Sequence, residues 1–119
     1  MPFIMSKVSV PISGEQELQL KTRLGKAIEL VPGKNENYLM VGFEQNCRLY
    51  LRGENIPAAF IEVSIFGNED HAGYDKLTAE ITKIFSSTLG ISAKNIYVKF
   101  DDIANWGVGG TNIDRNDYL

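Results

Sequence analysis

Apolar residues recur along this chain in two rhythms, and the alternation between them lays out its elements. Leu20, Leu24, Ala27, Ile28 and Val31 return at the three-to-four-residue spacing of one helical face. Ser13 stands just ahead of them with Gln16 three residues later, the spacing of a capping box that satisfies orphan amide donors. Pro32-Gly33 closes the segment, since proline disfavours helix in the residue before it. A second stripe, Tyr74, Leu77, Ile81, Ile84, Phe85 and Thr88, predicts a second helix. It begins near Asn68 to Asp70 and ends at Gly90, a residue suited to the left-handed cap position.

Around these helices the rhythm shortens to strict alternation, which predicts strands. One parity carries Ile4, Val8, Leu39, Val41 and Phe43, and later Ile61, Val63, Ile65, Ile96, Val98 and Phe100; this face meets the helices. The other parity mixes Phe3, Met5, Lys7, Met40, Phe60, Glu62, Tyr97 and Lys99. That face is too apolar for open water and too polar for a core. An oligomer interior or a ligand pocket is its natural use.

The two halves share one plan. Shifting the chain by 57 residues aligns Phe3 with Phe60, Ile4 with Ile61, Gly33 with Gly90, Val41 with Val98 and Phe43 with Phe100. The expected fold is α/β, with two pseudo-repeated βαβ units, roughly 2–44 and 59–101, in one domain over 1–119. They form a four-stranded sheet with two helices on one face. A short strand around Arg48 to Leu51 and a hairpin near Val108 to Asn112, turned at Gly109-Gly110, complete the expectation.

Composition narrows the function classes. A chain of 119 residues supports one core. Its net charge of −3 comes without a basic cluster, which disfavours a nucleic-acid surface. Cys47, the single cysteine, allows neither an intrachain disulfide nor a thiol cluster for zinc, and reads as a passive small residue. The start lacks the apolar region of a signal peptide, and no apolar run approaches the ~20 residues that span a bilayer. The expectation is therefore a cytoplasmic protein away from membranes. GVGG lacks the strand–helix setting of a nucleotide loop, so neither cofactor nor metal is expected. His71, near a helix start, reads as a surface residue.

MPFI at the start, then PGKNENYLMVGFE, PAAFIEVSIFG, NIYVKFDD and NWG occur in an order and spacing that resembles the macrophage migration inhibitory factor family, within the tautomerase superfamily. The resemblance covers residues 2 to 108. It implies a homotrimer with sheets lining a central barrel, and a cofactor-free keto–enol tautomerase of arylpyruvates such as phenylpyruvate. Pro2, exposed by loss of Met1, is implied as the base in a pocket between subunits. Lys34 matches the lysine that binds the substrate carboxylate, and Ile65 the position whose backbone amide also meets it, with Ser64 before it. Tyr97 matches a pocket tyrosine from the adjacent subunit, and Tyr38 another aromatic near the pocket.

Three departures accompany the match. Lys99 stands where the family pattern has asparagine, which changes pocket charge or substrate preference. The CxxC positions of some members fall at Ala58 and Ile61, so thiol–disulfide activity is not expected. The tail GGTNIDRNDYL does not match the family's aromatic wall, part of which Trp106 replaces.

The chemistry is sound on its own terms. A general base works best with a pKa near the working pH, whereas a free α-amine starts near ~8. Being mostly neutral at pH 7 takes a value near ~6, a shift equivalent to ~2.7 kcal/mol. Burial and a nearby cation both push that way. Phe3, Tyr97 and Trp106 are the candidates for the first and Lys34 for the second, and a terminus tied into a strand does not fray. Two other readings stay open: a binding or signalling protein with a vestigial pocket, and a dehalogenase, hydratase or decarboxylase on the same fold. The latter chemistry leans on extra arginines or carboxylates. Arg23, Arg48, Arg52 and Arg115 lie away from the matched positions, with Arg48 and Arg52, on the expected short strand, the two that could reach a neighbouring chain.

Overall fold

The structure, a computed structural model, describes residues 1–118. Strand β1 (Pro2–Val8) leads to helix α1 (Gly14–Ala27) and strand β2 (Met40–Glu44); β3 (Ala59–Phe66), α2 (Tyr74–Leu89) and β4 (Ile96–Ile103) repeat that plan. A hairpin of β5 (Asn105–Val108) and β6 (Thr111–Asp114) follows. The sheet order is β2-β1-β3-β4, parallel within each βαβ unit and antiparallel where β1 meets β3. This is the α/β architecture that the two rhythms predict.

Burial follows the parity of the sequence. Ile4, Val8, Ile61, Val63 and Ile65 are fully enclosed with Leu20, Leu24 and Ile28 of the first helical segment and Leu77, Ile81, Ile84 and Phe85 of α2. Leu39, Val41, Phe43, Val98 and Phe100, on the outer strands, pack against that core while half-buried. The opposite parity stays open, with Met40 and Tyr97 both more than half exposed.

The start of α1 is built as its sequence states. The Ser13 hydroxyl accepts the Gln16 amide at 3.1 Å, and the Gln16 side chain accepts the Ser13 amide at 2.9 Å. Ser13→Ala is expected to lower stability by about 1 kcal/mol, read as a shift in urea midpoint at unchanged m.

Helix α2 starts at Tyr74, later than the expected Asn68 to Asp70. The intervening residues spend their polar groups on a turn. Asn68 Nδ2 donates to the Ala72 carbonyl at 3.1 Å, and Asp70 Oδ1 accepts the Ala72 amide at 3.2 Å. The N-cap is Gly73 at φ 83, where a Cβ would run into the Leu30 carbonyl. Local side-chain bonds of this kind compete with helix. Gly90 ends α2 in the left-handed conformation at φ 73.

The Arg48–Leu51 strand is also corrected. Among the described residues, that segment makes no ladder within the chain beyond an isolated bridge between Leu51 and Glu54, around a turn at Arg52-Gly53. The tail hairpin forms with Gly109-Gly110 at its tip, but its strands run from 105 to 114. Among the described residues no helix is long and apolar enough to cross a membrane.

Candidate active site

Pro2 opens β1, and β1 lies between β2 and β3, so the start of the chain is held within the sheet. Its register partner is Ile65, whose own partner on the other side is Asp102. Pro2 is buried. One residue earlier, the Met1 carbonyl accepts the Phe66 amide at 3.2 Å, which extends the β1–β3 ladder to the first residue.

Lys34 reaches this end from a tight turn. Pro32 and Gly33, the latter at φ 78, fold the chain so that the Lys34 amide meets the Val31 carbonyl at 3.1 Å. Proline followed by glycine suits a turn whose third residue needs positive φ. The Lys34 ammonium then donates to the Phe66 carbonyl at 2.8 Å. One peptide plane apart, the two polar groups of Phe66 therefore hold Lys34 and Met1 side by side.

The electrostatic result falls on the chain-terminal amine. Burial, and then the charge and hydrogen bond of Lys34, lower its pKa from 8.0 to about 6. An ammonium there would lose hydration and face a cation, so the neutral amine is favoured.

A cleft of about 1200 Å³ opens over this end. Its floor is Met1, Pro2, Phe3 and Ser64. One wall is the segment from Asn37 to Met40, including Tyr38; the other is Ile103, Trp106, Val108 and Ile113 around the hairpin. The lining is mainly apolar with few polar groups, the usual make-up of a small-molecule site.

Of the residues singled out in the sequence, Pro2, Phe3, Tyr38, Ser64 and Trp106 line this one cleft. Lys34 stands beside the Met1 amine, and the Ile65 side chain is sealed in the core. Tyr97 and Lys99 are elsewhere. Tyr97 shares a row with Phe60 and Lys7, five register positions from the Pro2 row, or ~17 Å along the strands. Within one chain it does not reach Pro2.

Lys99 lies three positions away, and its charge is committed to Glu62 and Asp101, each at 3.4 Å. Asp101 first and Glu62 next push the Lys99 pKa up, while Lys7 at 3.2 Å is the largest cause holding Glu62 below its ordinary value. The arginines keep off the cleft as well: Arg23 bonds Ser87 and Thr88, Arg52 bonds Asn95, and Arg115 pairs with Asp102 and Glu69. His71 is exposed and stacks on Tyr74 at 5.3 Å.

Met40 belongs to the strand face expected to line a pocket or an oligomer interior; cleft residues that the sequence did not single out for the site include Asn37, Ile103, Asn105, Val108 and Ile113. The Gly109-Gly110 signal marks their hairpin, but nothing local says that it folds back over the chain start.

Two βαβ units in one sheet, with the chain end buried under an apolar cleft, define the tautomerase-superfamily fold. The macrophage migration inhibitory factor family model matches residues 1–113, and the chain belongs to that family. A macrophage migration inhibitory factor of Leishmania major (MIF2) is 27% identical with a TM-score of 0.88, over 95% of this chain and 97% of that one. The homologue from Prochlorococcus marinus is also 27% identical, with a TM-score of 0.83 over 92% and 97%. Pt0534, solved after inactivation by 2-oxo-3-pentynoate, shares the fold at 21% identity and a TM-score of 0.81, over 97% and 98%. Among curated proteins none matches the sequence.

Proposed function

We propose that this chain is a cofactor-independent keto–enol tautomerase of phenylpyruvate-like 2-keto acids, with the Pro2 nitrogen as general base after Met1 removal. The observation that carries this reading is that the end of β1 depresses an amine: at the floor of an apolar cleft, burial and Lys34 lower the Met1 amine to about 6. While Met1 is attached, the Pro2 nitrogen is an amide and has no basic lone pair. Once it is freed, the secondary amine lies one residue further along the same buried strand.

The step is a proton shuttle. The amine takes a proton from the carbon beside the keto group, the electron pair moves onto the carbonyl oxygen, and the ammonium returns the proton to that oxygen. Lys34 holds the substrate carboxylate; it keeps donors for this beyond the one given to Phe66. Trp106 gives the aryl ring a surface; the Ile65 amide is not proposed as a donor, because the Met1–Phe66 bond makes Pro2 and Ile65 a non-hydrogen-bonded pair and turns that amide toward β4. Tyr97 belongs to the site of an adjacent chain in a homotrimer, consistent with its exposure and its distance from Pro2 in its own chain. Inactivation of Pt0534 by a 2-oxo acid accords with this substrate class. The cytoplasmic setting and the single-domain organisation over 1–119 belong to the same reading.

The test compares protein that begins at Pro2, verified by intact mass, with protein that retains Met1. Interconversion of keto and enol phenylpyruvate is expected from the first, with kcat/KM at least ~100-fold above the second. Negligible turnover by the processed chain on a panel of keto acids would instead favour a binding or signalling protein. Turnover of a haloacrylate or of malonate semialdehyde alone would favour the dehalogenase, hydratase or decarboxylase class.

The pH profile carries the depression seen at the Met1 amine over to the Pro2 amine that takes its place beside Lys34. A base must be neutral to act, so kcat/KM should rise about tenfold per pH unit below the amine's pKa and level off above it, with the midpoint below the ordinary ~8 of a free terminus because the same burial and the same Lys34 act there. Lys34→Ala removes one cause of the depression and moves the midpoint upward, toward 8.0. A midpoint unmoved by that change would detach Lys34 from the base.

A further inference from the structure

Among the described residues, the wall that carries Trp106 has no ladder in common with the main sheet: β5 and β6 pair only with each other. What fastens it converges on one residue beyond the family-matched region. The Arg115 amide donates to the Ala104 carbonyl at 2.9 Å, closing the hairpin onto the end of β4. Its guanidinium donates to Asp102 Oδ2 at 2.7 Å and pairs with Glu69 at 3.2 Å. Asp102 is on β4 in the Pro2–Ile65 row, and Glu69 is in the loop before α2. Asp102 also accepts the Asn68 amide at 3.4 Å, which ties that loop to the same carboxylate.

We propose that Arg115 is a positioning residue for the cleft: its pairs with Asp102 and Glu69 set the height of the Trp106–Val108–Ile113 wall above Pro2. Trp106 and Ile113 are direct cross-strand partners, and Ile113 is only two residues before Arg115. A shift at Arg115 therefore passes straight to both. A guanidinium suits this task because its planar fork holds two carboxylates in fixed directions, which a point-charge ammonium does not. Arg115 and Asp102 are both only partly exposed, so their charge-assisted contact is screened less than one on an open surface. The role makes the wall a selector of substrate bulk, because the aryl group and not the reacting carbon rests against it. The effect on turnover rests on the tautomerase reading; the effect on the wall does not.

Trp106 is the single tryptophan of the chain, which gives the wall its own optical signal. The experiment uses full-length processed protein carrying Arg115→Met or Arg115→Lys. Acrylamide quenching of Trp106 is measured beside phenylpyruvate kinetics, with thermal melts to confirm folding. Arg115→Met is expected to raise the quenching constant about twofold and KM about five- to tenfold, with kcat within about twofold of the parent and the pH midpoint within about 0.3 unit of it. Arg115→Lys restores part of both effects. Unchanged quenching in folded Arg115→Met overturns the proposal, as does a fall in kcat with a moved pH midpoint, which would place Arg115 at the base. If Arg115→Met does not fold, Arg115→Lys decides: quenching above the parent in the folded lysine protein supports the clamp, and parental quenching overturns it. Absence of turnover in the parent together with raised quenching in Arg115→Met sinks the tautomerase reading and leaves the clamp standing.

Discussion

Pro2→Gly is expected to lower kcat/KM for phenylpyruvate by at least ~100-fold in protein whose Met1 has been removed, within the range that general bases contribute. Glycine still offers an amine, so the loss does not come from deleting the nitrogen. It comes from what the pyrrolidine ring does to that nitrogen. The ring fixes φ and fills buried space at the strand start. A glycine there moves over a wide range of φ, admits water, and recovers an ammonium pKa nearer 8. The first β1–β2 pair is Phe3 with Met40, so the strand itself does not depend on the ring. Stability should fall by no more than about 1 kcal/mol. Intact mass, circular dichroism and the enol absorbance assay together check this. Parental kcat/KM in correctly processed Pro2→Gly would remove Pro2 as the base.

Phe85→Ala is expected to have the largest effect on stability, about 3–5 kcal/mol. Phe85 is the largest side chain with no exposure, enclosed in the one core that both helices share with the sheet. Truncation loses the transfer energy of the ring and leaves a cavity that the neighbouring β-branched residues cannot collapse to fill. Against a typical total of 5–15 kcal/mol, that brings the protein close to its unfolding midpoint. Urea denaturation gives the number directly. A loss under about 1 kcal/mol would mean that the helix–sheet packing differs from that described.

The parts of this molecule that were legible in sequence are those decided within a few residues. The Ser13–Gln16 box, the Pro32-Gly33 stop and the Gly90 cap depend on local geometry, and each sits where its signal stands. The strand parities were equally readable, because burial sorts alternate residues without reference to partners. The start of α2 was not, since Asn68 and Asp70 satisfy their polar groups in a turn rather than at a cap, and Gly73 is forced by Leu30 from another part of the chain.

The site was legible by type and less so by place. Lys34 and Met1 meet through the backbone of Phe66, a juxtaposition of three segments that no spacing encodes. Tyr97 and Lys99 share the face of Phe3 in the alternation, yet only the strand register reveals how many rows separate them from Pro2. Lys99, read as a change of pocket charge, is held among the carboxylates of Glu62 and Asp101 in its own chain. The hairpin wall was announced by its turn but not by its address.

The position of β1 between two neighbours has one more consequence. Most proteins begin on a loose end that can be lengthened freely. Here the first residue is already pinned by the Phe66 amide, and the space ahead of it is the cleft itself. Anything joined upstream, whether a formyl group, an affinity tag or a leader, has to leave through that opening and stopper it on the way.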